Sequence, residues 1–306
     1  MKAGIRWAPL LMLVALGMLW GGNPAFSKAL GQAGIGPFGV VFWQTFSAGV
    51  ILLPVCLLRR QKISLDRRSL AYYAFIGGFG IGIPYGALVL VVAHVTTGFV
   101  SVLVVLSPLL TYIFAIVMRL ERISPLRAIG IALGFAGVAI LVLPEGSLPS
   151  PEALPYALLA LVIPTGYAAA NVYAEWGRPA DTGNEALACG TMFAAALMMA
   201  VLGLLDGSFD PAWTRLDQSG LILLGYGVST VAAFLLFYAI VAAAGAVYLG
   251  QVGYLVTLAG IGWGVLLFGE RHHPSLWLAV AVVFAGVALV NFGKRRPAAA
   301  TAVETA

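Results

Sequence analysis

A small group of polar and amphipathic side chains interrupts the long apolar runs of this chain: Trp20, Asn23, Tyr85, Ser107, Asn171, Tyr238, Gln251 and Tyr254. Amides and hydroxyls donate and accept, so together they suit the ammonium and carboxylate of a zwitterion. Aromatic rings suit a variable apolar side chain. These residues are candidate contacts with a solute, not catalysts. No H-E-x-x-H, G-x-S-x-G, P-loop or Rossmann pattern occurs. Asp66, Asp181, Asp206, Asp210 and Asp217 all fall in or beside the connections between apolar runs. The expectation is therefore no catalytic residue, no metal site and no cofactor. Tyr and Trp also form interfacial belts, and Asn or Gln can simply tie helices together. Of a wider set that adds Trp43, Gln44, Tyr112, Tyr167 and Trp263, about half are expected to face a cavity.

The elements that would position them are membrane helices. Only 9% of the 306 residues are charged and 61% are hydrophobic, whereas a soluble chain carries about 25% charge. A spanning helix needs about 20 predominantly apolar residues. Ten such windows are present, near 7–30, 38–58, 70–92, 98–119, 125–143, 153–175, 185–205, 218–242, 246–269 and 274–293. The first follows Lys2 and Arg6 but is too long for a signal peptide, and it is read as retained. The net charge of +5 does not indicate nucleic acid, because the basic residues lie in short connections. Lys and Arg concentrate on cytoplasmic loops. Arg59, Arg60, Lys62, Arg67, Arg68, Arg119, Arg122, Arg127, Arg178, Lys294, Arg295 and Arg296 join Lys2 and Arg6 on one side; Lys28, Arg215 and Arg271 fall on the other. Both termini are thus expected in the cytoplasm. Cys56 and Cys189 lie in apolar runs, which argues against a disulfide framework or a zinc site.

The chain repeats itself. Residues 121–139 read ERISPLRAIGIALGFAGVA and residues 270–288 read ERHHPSLWLAVAVVFAGVA. Each copy closes one half of five spans, and an odd number of spans turns the second half upside down. The expected fold is all-α and integral to the membrane, with ten transmembrane helices as two inverted five-helix repeats, 1–146 and 147–296, and a disordered tail at 297–306. Substrate sites of such folds lie between the repeats, beside interrupted helices. Interruptions are expected at Gly21-Gly22-Asn23-Pro24, Gly77 to Gly86, Pro164-Thr165-Gly166 and Gly225-Tyr226-Gly227.

Leu19-Trp20-Gly21-Gly22-Asn23 with Lys28, Ser107-Pro108, Leu120-Glu121-Arg122-Ile123-Ser124 and Phe268-Gly269-Glu270-Arg271 resemble the drug/metabolite transporter superfamily. Its EamA-like branch, with its bacterial exporters of aromatic and other amino acids, is the most similar. Gln44 stands where members often carry Arg, and Thr257 where they often carry Pro. The resemblance implies a secondary transporter of the bacterial inner membrane that exports amino acids or similar small metabolites by alternating access. Expected partners are an amino-acid-like solute and the lipid bilayer, with no nucleic acid, in a monomer or weak homodimer. The alternatives are a nucleotide-sugar, phosphate-ester or drug carrier of the same superfamily, or a channel. A phosphate-ester carrier would need mid-membrane Lys or Arg, which the spans lack.

Other features are read as structural. Lys28 near the outer end of its span is expected to snorkel rather than hold a substrate carboxylate, and His94 to be polar surface. Glu121 and Glu270 are each expected near the positive end of the helix that follows, which Pro125 and Pro274 open. Gly130 and Gly134, mirrored by Ala281 and Ala285, are expected to pack helices within the molecule.

Overall fold

In lipid, every backbone N–H and C=O must bond within its own segment, so apolar runs of this length become helices. The structure, a computed structural model, describes residues 7–119, 124–142, 148, 150–179, 182–207, 209, 218–249 and 252–292. Its regular elements are all helical: α1 (Ala8–Gln32), α2 (Pro37–Leu58), α3 (Arg67–Val91), α4 (Thr97–Val117), α5 (Pro125–Leu141), α6 (Pro151–Ala174), α7 (Asn184–Leu205), α8 (Gln218–Phe237, helical on to Leu249), α9 (Val252–Phe268) and α10 (Pro274–Val290). Seven are long and apolar enough to cross a membrane, and α5, α9 and α10 are shorter apolar helices. Glu121, Gln251 and residues 297–306 lie outside the described residues.

Local sequence explains where these helices start. Asp66 Oδ1 accepts from the backbone N–H groups of Arg68 (2.8 Å) and Ser69 (3.1 Å), which opens α3. Thr96 Oγ1 accepts from the Phe99 N–H at 3.2 Å, which opens α4. Pro37, Pro125 and Pro274 occupy first helical positions, where the missing N–H costs nothing.

The interruptions fall largely where glycine and proline place them. In α1 the helix is divided into Trp7–Gly21 and Asn23–Gln32, and Pro24 removes the N–H that would have bonded the Trp20 carbonyl. The glycine run of α3 becomes a π-helical stretch, Ile76–Gly82. In α6 the division lies between Leu159 and Val162, one turn ahead of the expected Pro164-Thr165-Gly166, which is itself helical. A further one, in α4 between Val104 and Ser107, precedes Pro108. The expected break at Gly225-Tyr226-Gly227 is absent: α8 runs through it unbroken. Gly227 serves packing instead, since a Cβ there would collide with the Ser47 side chain of α2. The expected loop near 243–245 is likewise helical.

Packing is reciprocal between the halves. α1 lies against α8 and α9, and α6 lies against α3 and α4; α2 meets α8 and α7, and α7 meets α3. α5 and α10 form a pair at glycine contacts. A Cβ on Gly286 would stand 2.5 Å from the Gly130 carbonyl oxygen and 2.8 Å from the Gly134 nitrogen. The small-residue stripes therefore pack within the molecule, with Gly286 rather than Ala281 or Ala285 at the closest approach.

Candidate functional site

Two amide–hydroxyl contacts mark the interrupted helices. Asn23 opens the second segment of α1, and its Nδ2 donates to the Tyr85 hydroxyl of α3 at 3.3 Å. The Tyr85 ring meets Tyr167 of α6 edge-on, with centroids 6.2 Å apart. Across the two halves, Asn171 of α6 donates from Nδ2 to Thr111 Oγ1 of α4, also at 3.3 Å. Thr111 Oγ1 in turn donates to the Ser107 carbonyl at 2.7 Å, so Ser107 joins this group through its backbone. The first helix of each half thus offers one amide to a hydroxyl on a helix of the first half: Asn23 to Tyr85 within that half, and Asn171 to Thr111 across the two halves. Each Asn side chain keeps its carbonyl oxygen as an acceptor beyond the contact described.

Aromatic side chains line the same helices. Trp20 of α1 packs edge-on against Phe234 (6.5 Å) and tilted against Phe237 (5.9 Å) of α8. Phe26 stacks on Tyr226 at 4.8 Å. Beside them Gln44, fully buried in α2, donates from Nε2 to Thr230 Oγ1 of α8 at 3.0 Å.

Asn23 and Tyr85 are brought together, as are Asn171 and Ser107. Trp20 neighbours them on α1 but faces α8. Tyr254 turns toward α10, edge-on to Phe284 at 4.7 Å. Tyr238 belongs to α8, and its side chain is not among those described; Gln251 lies outside the described residues. Thr111, Tyr167 and Gln44 enter the polar group through tertiary contacts. A cavity of about 540 Å³ lies elsewhere, between α3 and α7, lined by Leu65, Leu70, Phe193 and Met198 among others. Its lining is apolar, and it does not include the two amides.

A second polar centre sits at the helix ends on the face that the basic-residue distribution assigns to the outside. Lys28 Nζ donates to Glu270 Oε1 at 2.6 Å. The Thr97 N–H donates to both Glu270 oxygens (3.1 and 3.0 Å), and Thr97 Oγ1 donates to Oε2 at 3.0 Å. Glu270 therefore meets the N-terminus of α4, not that of α10 as expected, because the chain reverses before it reaches the next helix. Lys28 has a fixed partner instead of reaching for headgroups. His94 stacks on Tyr156 with centroids 3.4 Å apart.

Burial pushes the Glu270 carboxyl upward, but its bonds with Lys28 and Thr97 outweigh that and hold it below the ordinary carboxylate value. His272, whose Nε2 is 4.0 Å from Glu270, is held below the usual histidine value. Burial is the main cause, assisted by Lys28 and opposed by Glu270. The unfolded chain therefore binds this proton first as pH falls through about 6.5. Thermal stability in detergent is expected to decline between about pH 7.5 and about pH 5.5, and His272→Gln to flatten that decline. An unchanged slope in the variant would assign the titration elsewhere.

The sequence pattern described as the EamA-like transporter family matches this chain twice, over residues 7–143 and 154–292. An uncharacterized inner membrane transporter of Escherichia coli K12, YedA, is 28% identical over 290 residues, covering 92% of this chain and 90% of that protein. The uncharacterized transporter YvbV of Bacillus subtilis 168 is 24% identical over 286 residues, with the same shares covered. One known crystal structure superposes with a TM-score of 0.65 at 20% identity, covering 94% of this chain and 97% of the other. That likeness concerns the fold alone.

Proposed function

We propose, from the premise that the chain belongs to the EamA-like transporter family, that this membrane transporter moves amino acids or similar small zwitterions. Its ten helices act as two inverted five-helix repeats, near 1–146 and 147–296, in a bacterial inner membrane with both termini cytoplasmic. The solute binds between them and leaves the cell by alternating access. The reciprocal packing of α1 on α8 and α9, and of α6 on α3 and α4, supports the inverted arrangement.

The observation that carries the solute class is the pair of amide–hydroxyl contacts, Asn23–Tyr85 and Asn171–Thr111. They offer donors and acceptors without net charge, which matches a solute whose own charges cancel. A phosphate ester would require facing cations. The proposed contacts are Trp20, Asn23, Tyr85, Ser107, Asn171, Tyr238 and Gln251, with Trp20 and the aromatic rings of α8 toward the solute's side chain; Tyr254, turned to Phe284, is not among them.

Counterflow in liposomes tests this directly. Vesicles preloaded with one unlabelled amino acid are expected to accumulate its labelled form transiently and saturably. Accumulation of a sugar phosphate with no response to any amino acid would refute the solute class. Voltage-driven current without saturation would replace the carrier by a channel.

A further inference from the structure

We infer that Lys28, Thr97 and Glu270 form the outer gate of the transport path, a clasp between the two halves that is fastened in this structure and must release for the outer mouth to open. This rests on the reading of the protein as two halves that rock against each other.

The clasp joins the halves. Lys28 and Thr97 belong to the first half and Glu270 to the second, so rocking that parts α1 and α4 from α9 on this face must break their contacts. All three residues stand at helix ends: Lys28 late in α1, Thr97 at the first position of α4 and Glu270 just past α9. Gly269 explains how Glu270 gets there. Its φ of +60°, open to glycine without strain, ends α9 in a left-handed turn in which the Glu270 N–H donates to the Gly264 carbonyl at 3.2 Å. That turn directs the carboxylate back across the seam to the free N–H of α4.

The carboxylate is enclosed. Its side chain is 5% exposed and that of Lys28 17%. The ammonium also lies 4.6 Å from the Phe268 ring centroid. His272, with a 4% exposed side chain, packs against Gly98 and keeps Nε2 within 4.0 Å of Glu270 without a hydrogen-bond partner of its own. Below the clasp, the seam between α4 and α9 continues through Thr257 Oγ1, which donates to the Ser101 carbonyl at 3.1 Å.

Charge is the right material for a seam that opens. A buried ion pair gains little net stability, because desolvation offsets most of the attraction. A water-filled mouth would hydrate both charges again, so the open and closed states stay close in free energy. The α5–α10 contact is the opposite case, backbone against glycine, and has no hydrated alternative. The cytoplasmic face carries a different tie between halves, Arg59 to Glu185 with Gln61 beside it. There the Arg59 side chain is 63% exposed, so the tie is already hydrated, and it joins the end of α2 to the start of α7.

Two experiments on the full-length protein in membranes decide the matter. In a Cys56→Ala/Cys189→Ala background, Ser101→Cys reports the seam to a membrane-impermeant thiol reagent applied from outside. Glu270→Gln or Lys28→Gln is expected to raise its labelling rate about tenfold. Labelling as slow as in the parent would overturn the gate. Separately, Lys28→Cys/Glu270→Cys joined by a short bifunctional thiol reagent is expected to stop transport, with recovery on reversal of the link. Full transport in the linked protein would make the contact a permanent strut, and the proposal would fail. The labelling assay needs no known solute, so an error in the solute class leaves it intact.

Discussion

Gly286→Leu is expected to remove nearly all folded protein from the membrane, and Gly286→Ala to lower its yield severalfold. Even a methyl group at this position would meet the Gly130 carbonyl at 2.5 Å and the Gly134 nitrogen at 2.8 Å. Both obstacles are backbone and cannot rotate away, so α5 and α10 must separate. Overpacking where neighbours can adjust costs about 1–3 kcal/mol, and immovable neighbours place this site at or above the top of that range. A loss of that size is a large share of a typical folding free energy. Gly262→Ala is the control, because nothing lies within 4 Å of a Cβ built there. Fluorescence-detected size-exclusion chromatography of solubilised membranes reads the outcome. Equal monodisperse yields for Gly286→Leu and the parent would show that the pair does not hold the scaffold together.

Asn23→Ala is expected to slow counterflow roughly tenfold at normal yield, the order of one hydrogen bond to the solute lost. The substitution removes the amide at the division of α1, which donates to the Tyr85 hydroxyl at 3.3 Å, and leaves that hydroxyl with Tyr167 as its partner. Tyr85→Phe should cost less, since the ring keeps its edge-on contact with Tyr167. Asn171→Ala repeats the experiment with the amide of the other half, and Thr111 of α4 loses its donor. The test is initial counterflow rate per folded protein, with the apparent affinity measured alongside. An Asn23→Ala protein that exchanges solute at the parent rate would remove the Asn23–Tyr85 pair from the path.

Much of this was legible because it depends on neighbours in sequence. A membrane environment forces helices wherever about 20 apolar residues run together, so composition and length alone mark the spans. Pro125 and Pro274 mark helix starts, Pro24 and Pro164 accompany interruptions, and the repeated Phe-Ala-Gly-Val-Ala text exposes the duplication that the two family matches also follow. Asn23, Tyr85, Ser107 and Asn171 stood out because an amide or hydroxyl in an apolar run needs a partner. Which partner it finds is another matter. Thr111, Tyr167 and Gln44 acquire their places only when α4, α6 and α2 come together, and Tyr254 was aimed at the centre by its type but turns to Phe284.

Glycine shows the same division. The run at 77–86 and the triplet at 225–227 look alike as text, yet one becomes a π-helical stretch and the other stays α-helical. The backbone tolerates both outcomes, and neighbours choose. Glu270 shows it most clearly. Its position beside a proline pointed to the following helix, whereas Gly269 turns it onto Thr97 and Lys28, far away in sequence. The chain's order of apolar and polar residues determined that this protein is a bundle of membrane helices built from two related halves. Only the folded arrangement decided which polar groups meet across those halves, because a hydrogen bond or ion pair depends on positions a few ångströms apart in space, and spacing along the chain does not encode them.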